Sequence, residues 1–335
     1  MPEQFLHLPA EGRSEIINHV ATRLALTRES IEKDVLVCWA LETLFTMPDA
    51  HPMAFKGGTS LSKVYGAIQR FSEDVDVTLD YREFDDDYNP FAANASRTAI
   101  KKYSDRLKSY VREYANTIVL PHIQDQLKEF PYADEYTTEI SNDGEKIWIN
   151  YPSVVKEGSN YIKRHILVEL GGRNVIDPNE RHTVVPDAAT IVDTVDFPSS
   201  EVIVLSPERT FWEKATLIHV ECNRTKPRNN YNRFSRHWYD MVKMSQHDIG
   251  KAAINNRKLL EDVINHKQVF FYYSHANYEA CQKGELNLIP NGDLLSRLHS
   301  DYEEMLAANM MYGEPPSFDE LMDELNGIEQ NINGC

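Results

Sequence analysis

Residues 55–80 read FKGGTSLSKVYGAIQRFSEDVDVTLD, and the run from Asp74 to Leu79 decides the fold. Val75, Val77 and Leu79 alternate there with Asp74, Asp76 and Thr78, the period of two that marks a half-buried strand. Residues i and i+2 of a strand face the same way, so Asp74 and Asp76 project from one face. Arg70 lies four residues upstream and Arg82 six residues downstream of the pair, so the two carboxylates repel each other unless a cation intervenes. Their α-carbons stand roughly 7 Å apart, close enough for the oxygens to converge on metal ions about 3.5 to 4 Å apart. Mg²⁺ with phosphate ligands is the natural occupant, and Mn²⁺ is the alternative. An acidic strand face bathed in solvent is the plainer explanation of such a pair standing alone.

The residues upstream change the weight of that pair. His51 to Phe55 fits a short strand, Lys56-Gly57-Gly58 a tight turn, and Thr59 to Gln69 a helix. Glycines at positions 57 and 58 let the backbone approach a ligand and leave amides pointing outward at the start of that helix. Together with the hydroxyls of Thr59 and Ser60, those amides suit a triphosphate whose charge a metal at Asp74 and Asp76 would neutralise. The turn is no P-loop, because GxxxxGK[ST] is absent. A plain tight turn remains the alternative.

Around this unit the chain reads as ordinary globular protein. Its 335 residues predict a catalytic domain with a second or appended one, 1–200 and 201–335. With 52 acidic against 35 basic residues the net charge is −17, which excludes coating of nucleic acid by bulk attraction and requires any such contact to be a local patch. No apolar run reaches membrane-spanning length, and the first residues do not form a secretion signal. Four scattered cysteines without a CxxC pair suggest neither zinc nor disulfides, so a cytoplasmic protein without membrane contact is expected. Residues 12–46 predict two helices broken near Leu26 and Thr27, and Ala95 to Gln126 one long helix behind an acidic, turn-rich stretch at 81–90. Residues 145–151, 161–170 and 202–205 predict strands. The segment from 152 to 160 reads as a loop, and that from 177 to 200 as a Pro- and Asp-rich connection. Ser206-Pro207 then opens a mainly helical remainder, with Ser as cap and Pro at the first helical position. The expected class is α/β (α+β), a mixed sheet flanked by helices with a mainly helical C-terminal part.

The run KGGTSLSKVY followed by RFSEDVDV resembles the AbiEii/AbiGii nucleotidyltransferase toxins of bacterial abortive-infection and toxin–antitoxin systems, within the DNA polymerase β-like superfamily. The preceding IEKDVLVCWALETLF (31–45), SPERTFWEKATLIH (206–219) and RFSRHWYDMVKM (233–244) resemble that family's leading helix, lysine helix and last motif. The resemblance spans about 30 to 245. It implies a nucleotidyltransferase-type sheet, with Gly57, Gly58, Thr59 and Ser60 at the nucleotide phosphates, Ser72 beside them, and Asp74 and Asp76 on metal. It further implies that Lys214 contacts the triphosphate, that Asp240 completes the pocket, and that Glu169, in ILVELGG, is the candidate for a further acidic position.

Residue patterns support part of this. On a helix starting at Pro207, Lys214 falls on the inward arc near Phe211 and Ile218, where a lysine needs an anionic partner or must snorkel. Arg236 and Asp240 are spaced as a surface ion pair would be. Between Arg224 and His237 stand five basic residues and no acid. That loop is either a solubilising surface or, through Arg228, Arg233 and Arg236, a contact for an RNA acceptor, with Tyr231, Phe234 and Trp238 for stacking. The expected reaction transfers NMP from an NTP to an acceptor hydroxyl. Among relatives, modification of the tRNA 3′ end makes tRNA the favoured acceptor, and a cognate antitoxin the expected partner. The alternatives are nucleotidylation of a protein or small molecule, and a noncatalytic nucleotide-binding module that sequesters a partner.

Overall fold

The computed structural model describes residues 3–84, 87–155 and 162–334. Strand β1 (Glu3–Gln4) precedes helices α1 (Ala10–Leu24) and α2 (Arg28–Phe45). The predicted break falls where Thr27 caps α2, its side chain accepting from the Ser30 amide at 3.2 Å. Next come β2 (Met53–Lys56), α3 (Gly57–Lys63) and β3 (Asp74–Asp80). The helix expected to run to Gln69 starts at Gly57 and stops at Lys63. Gly66, with φ +58°, adopts a left-handed conformation that an α-helix cannot continue through.

The long helix expected from Ala95 is α4 (Arg97–Tyr114) and α5 (Leu120–Leu127), joined by a π-helical turn at Ala115–Val119. Pro121 has no N–H to give the turn below it, and the wider turn relieves that mismatch. Strands β4 (Thr137–Ile140), β5 (Lys146–Asn150), β6 (His165–Asn174), β7 (Asn179–Val184), β8 (Val195–Asp196) and β9 (Ser200–Leu205) follow. Residues 156–161 of the expected loop and strand, together with 85 and 86, lie outside the described residues.

Seven strands make one mixed sheet in the order β4-β5-β6-β3-β2-β9-β7, and β1 pairs with β8 apart from it. β3 lies between β6, parallel to it, and β2, antiparallel. Phe55, Val75, Val77, Val168, Leu170 and Val204 share one face of this sheet, all nearly inaccessible to solvent. Helix α2 packs across β3, β6 and β9, and its Val35, Leu36, Cys38, Trp39 and Leu41 are buried too. Burial of each such side chain contributes about 1.5–3 kcal/mol, and the opposite face is left to carry polar groups.

Two compact units divide the chain. One comprises Met1–Val64, Phe71–Tyr88 and Lys102–Leu205; the other comprises Tyr65–Arg70, Asn89–Lys101 and Ser206–Cys335. The second unit is helical, with α6 (Pro207–Cys222), α7 (Arg236–Gln246), α8 (Asp248–Asn255), α9 (Arg257–Phe270), α10 (Tyr278–Gln282), α11 (Gly292–Ala307) and α12 (Phe318–Asn333). α6 packs against α7, α8 and α9 through buried Phe211, Trp212, Ala215 and Ile218. Its indole donor at Trp212 is satisfied by the Ala253 carbonyl at 3.1 Å. Among the described residues no helix is long and apolar enough to cross a membrane. Cys38, Cys222 and Cys281 are free thiols, two buried and one half-buried.

Candidate active site

In the first unit the alternation along β3 is as the sequence predicts. Val75 and Val77 are buried, while Asp74 and Asp76 are half-exposed on the other face. Register then fills in what surrounds them. Asp76 is paired with Lys56 of β2 on one side and with Glu169 of β6 on the other, and residues in register share a face. Glu169 therefore lies on the face of Asp74 and Asp76, beside Asp76. The next strand, β5, places Lys146 in register with Glu169, and the Lys146 ammonium donates to Glu169 Oε1. Partial burial draws the Lys146 pKa down, but the hydrogen bond to Glu169 and the charges of Glu169, Asp74 and Asp76 more than reverse it, so the pKa is raised. Sequence reading passed over Lys146. The alternation in KIWIN puts it opposite Ile147 and Ile149, but only strand register reveals which residue it meets.

The glycine turn closes on this face. Gly57 has φ +81°, and a Cβ there would come within 2.9 Å of the Asp76 carboxyl carbon and closer still to its Oδ2. Asp76 thus rests directly on the Gly57 α-carbon. The Thr59 hydroxyl donates to the Asp74 carbonyl at 2.6 Å, and its oxygen lies 3.1 Å from Ser72 Oγ, whose hydroxyl it can accept from. Ser60 Oγ donates to the Gly57 carbonyl at 3.0 Å. Thr59 and Ser60 are buried; the Thr59 hydroxyl fastens the turn to β3 and that of Ser60 closes the turn on itself, while Lys56, Gly57, Gly58 and Ser72 stay half-exposed.

Two buried ion pairs brace the turn and strand. Lys33 of α2 meets Glu73, the residue before Asp74, at 2.6 Å and donates to the Lys163 carbonyl at 2.8 Å. Lys63, at the end of α3, lies 2.7 Å from both Asp34 and Asp187. Burial, aided by the charge of Asp187, pushes the Asp34 carboxyl up to about 6 against the pull of Lys63.

Among the described residues no three side chains of the metal-binding kinds converge into a ready cage. Two carboxylates on one strand face are nonetheless a fitting donor set for Mg²⁺, which prefers one or two carboxylates, water and substrate phosphate to an all-protein cage.

The second unit contains a different cluster. Asp240 is fully buried, and both its oxygens are taken by Arg70, at 2.7 and 2.8 Å. Lys214 Nζ lies 2.9 Å from Asp240 Oδ2. Burial alone would raise the Asp240 pKa, but Arg70 and Lys214 hold it well below the usual carboxylate range. The inward lysine of α6 thus has its anionic partner. The surface ion pair expected between Asp240 and Arg236 is not what forms, since Asp240 has no exposed surface and Arg236 Nε donates to the Arg233 carbonyl at 2.9 Å.

The basic loop is more ordered than its composition suggests. Glu221, at the end of α6, accepts from Arg224 at 2.7 Å and from Arg228, whose guanidinium also sits 5.0 Å from the Phe234 ring. Asp301 accepts from the amides of Arg233 and Ser235. Burial, with the charges of Arg236 and Arg70, lowers the Arg233 pKa to about 10. The expected stacking surface needs correction. Tyr231 and Trp238 are buried, and the Trp238 indole donates to the Leu288 carbonyl at 2.9 Å, which leaves only Phe234 half-exposed.

MenT4, a nucleotidyltransferase toxin from Mycobacterium tuberculosis, is similar in fold, with a TM-score of 0.50 at 14% identity over 95% of this chain and 90% of that one. No curated protein matches the chain in sequence. The family model of the AbiEii nucleotidyl transferase toxin of type IV toxin–antitoxin systems matches residues 39–324, and the chain therefore belongs to that family of nucleotidyltransferase toxins.

Proposed function

We propose that this toxin uses Mg²⁺, or Mn²⁺ in its place, to transfer a nucleoside monophosphate from an NTP to a hydroxyl of tRNA, at its 3′ end. The observation that carries this reading is the carboxylate face, where Asp74 and Asp76 stand side by side with Glu169 in register beside Asp76. Asp74 and Asp76 would hold the metal, which when bound supplies charge neutralisation at the phosphates and a lowered pKa for the attacking hydroxyl.

The chain's own residues supply position. The half-exposed backbone of Gly57 and Gly58 faces phosphate, and Ser72 lines the same edge of the turn. Thr59 and Ser60 keep that backbone in place, and Glu169 orients the face from the neighbouring strand. Lys214 contacts the triphosphate as the family resemblance implies, its ammonium oriented by Asp240, which Arg70 holds in turn. Arg228, Arg233 and Arg236 meet acceptor phosphates. The toxin acts in the cytoplasm and is restrained by a cognate antitoxin.

The test is incubation with Mg²⁺, each α-³²P-labelled NTP and total tRNA. Label should pass to tRNA with the wild type and fall roughly a thousandfold with Asp74→Ala/Asp76→Ala, the rate equivalent of several kcal/mol of lost charge stabilisation. Label on protein or small molecules instead would name another acceptor. NTP binding without transfer under any condition would leave a noncatalytic module. Replacing Arg228, Arg233 and Arg236 together by Gln should abolish tRNA labelling, and unchanged labelling would remove tRNA from the reading.

A further inference from the structure

Burial of Tyr231 and Trp238 removes two rings from the basic loop, but the second unit brings one back from another segment. Tyr273, between α9 and α10, is 46% exposed. The Arg224 guanidinium lies 5.9 Å from its ring centroid. Arg224 shares the Glu221 carboxylate with Arg228, which in turn sits 5.0 Å from the half-exposed Phe234 ring. Phe234, Arg228, Arg224 and Tyr273 thus make one strip in which rings and guanidiniums alternate. Glu221 is buried and is one carboxylate for two guanidiniums, so it fixes their positions and leaves a positive charge, to which exposed Lys226 adds. Glu221 follows Lys214 on α6 by about two helical turns, roughly 10 Å along the axis and on the same side.

We propose that this strip holds the unpaired 3′ end of the RNA acceptor, with bases stacked on Phe234 and Tyr273 and phosphates on Arg228 and Arg224 between them. This rests on the reading of RNA as the acceptor. Rings stack on any base, and guanidiniums pair with any phosphate, so the contact is blind to sequence but not to structure. Bases in a duplex are already stacked on one another, and the strip therefore selects a single strand.

The test is binding by the nucleotide-free full chain, read as fluorescence anisotropy of a short unstructured RNA labelled at its 5′ end. Phe234→Ala and Tyr273→Ala should each weaken binding roughly tenfold and leave its salt dependence unchanged. Arg224→Gln or Arg228→Gln should instead lower the salt slope by about one. Tyr273→Trp, which keeps a stacking face, should bind as the wild type does. The same RNA annealed to its complement should show no difference between the wild type and the ring variants. No binding by the wild type, unchanged binding by both Ala variants, or an equal loss on the duplex would overturn the proposal. Label transfer at limiting tRNA separates this proposal from the reading beneath it. If single-strand binding follows the rings but no label reaches tRNA, the acceptor reading fails and the strip stands as an RNA site. If Phe234→Ala/Tyr273→Ala labels tRNA as the wild type does, the strip falls and the acceptor reading stands.

Discussion

Gly57 and Gly66 both adopt a positive φ, yet only Gly57 has a catalytic candidate resting on it. Gly66→Ala meets nothing within 4 Å, so it should cost about 1–2 kcal/mol of backbone strain and leave NMP transfer intact. Gly57→Ala should carry the same strain and also push the Asp76 carboxylate aside. A displacement of about 1 Å at reacting groups lowers turnover roughly a hundredfold. Label transfer and thermal melts of both variants separate the effects. At Asp240 the expected loss is in stability first. Asp240→Asn leaves Arg70 and Lys214 buried against a neutral amide, a loss of roughly 3–5 kcal/mol that urea denaturation would read. At this scale the sequence shows Asp74 and Asp76 on one face, because alternation is local. It does not show Glu169 beside Asp76, Lys146 on Glu169, or Arg70 on Asp240 across 170 residues. Those contacts depend on strand register and tertiary packing, which no spacing within one segment encodes.

Elements were legible where their punctuation is chemical. Ser206 accepts from the Arg209 amide at 3.2 Å and Pro207 follows it, the pairing that predicted the start of α6. Ser206→Ala should therefore cost about 1 kcal/mol, read as a shift in the urea midpoint. Because α6 carries Lys214, the variant should also raise the KM for NTP more than it lowers kcat, under the proposed role of that lysine. The strands missed in the seven-stranded sheet, β4 and β7, are its two edges, and the two-residue β1 and β8, which pair apart from it, were missed as well. The residues of β4 and β7, TTEI and NERHTV, are mostly exposed or half-exposed, so neither gives the apolar alternation that reveals β3. The π-turn in the predicted long helix escaped for another reason. Pro121 sits in a pattern whose apolar period still reads as helix on both sides.

Across the whole molecule, buried titratable groups set how stability follows pH. The Asn287 amide donates to His219 Nδ1 at 2.9 Å, so that nitrogen must be unprotonated, and Nε2 faces the Asn277 carbonyl at 3.2 Å. Burial lowers the His219 pKa against the pull of the Asn277 and Ala276 carbonyls. A depressed folded pKa means stability that is present above about pH 6.5 and lost as pH falls, because the unfolded chain takes up a proton that the folded one resists. The limiting slope is about 1.4 kcal/mol per pH unit. Asp34, pushed up to about 6, acts in the opposite sense, since its folded form gains relative stability as pH falls from about 6 toward 4. Urea midpoints at pH 7.5 and 5.5 should thus show a smaller acid loss in His219→Gln than in the wild type.

The strand order has a consequence for the newborn chain. β3 is translated long before its neighbour β6, and β2 long before β9, which pairs with it through Phe55 and Val204. At roughly 5–20 residues per second, some seconds of synthesis separate Asp76 from Glu169. A ribosome that stalls or meets a stop codon in that interval releases a fragment holding both aspartates but no sheet to display them on. Under the proposed role of the carboxylate face, a fragment ending before β6 should therefore transfer no label to tRNA, whereas a fragment active in that assay would count against a role for Glu169.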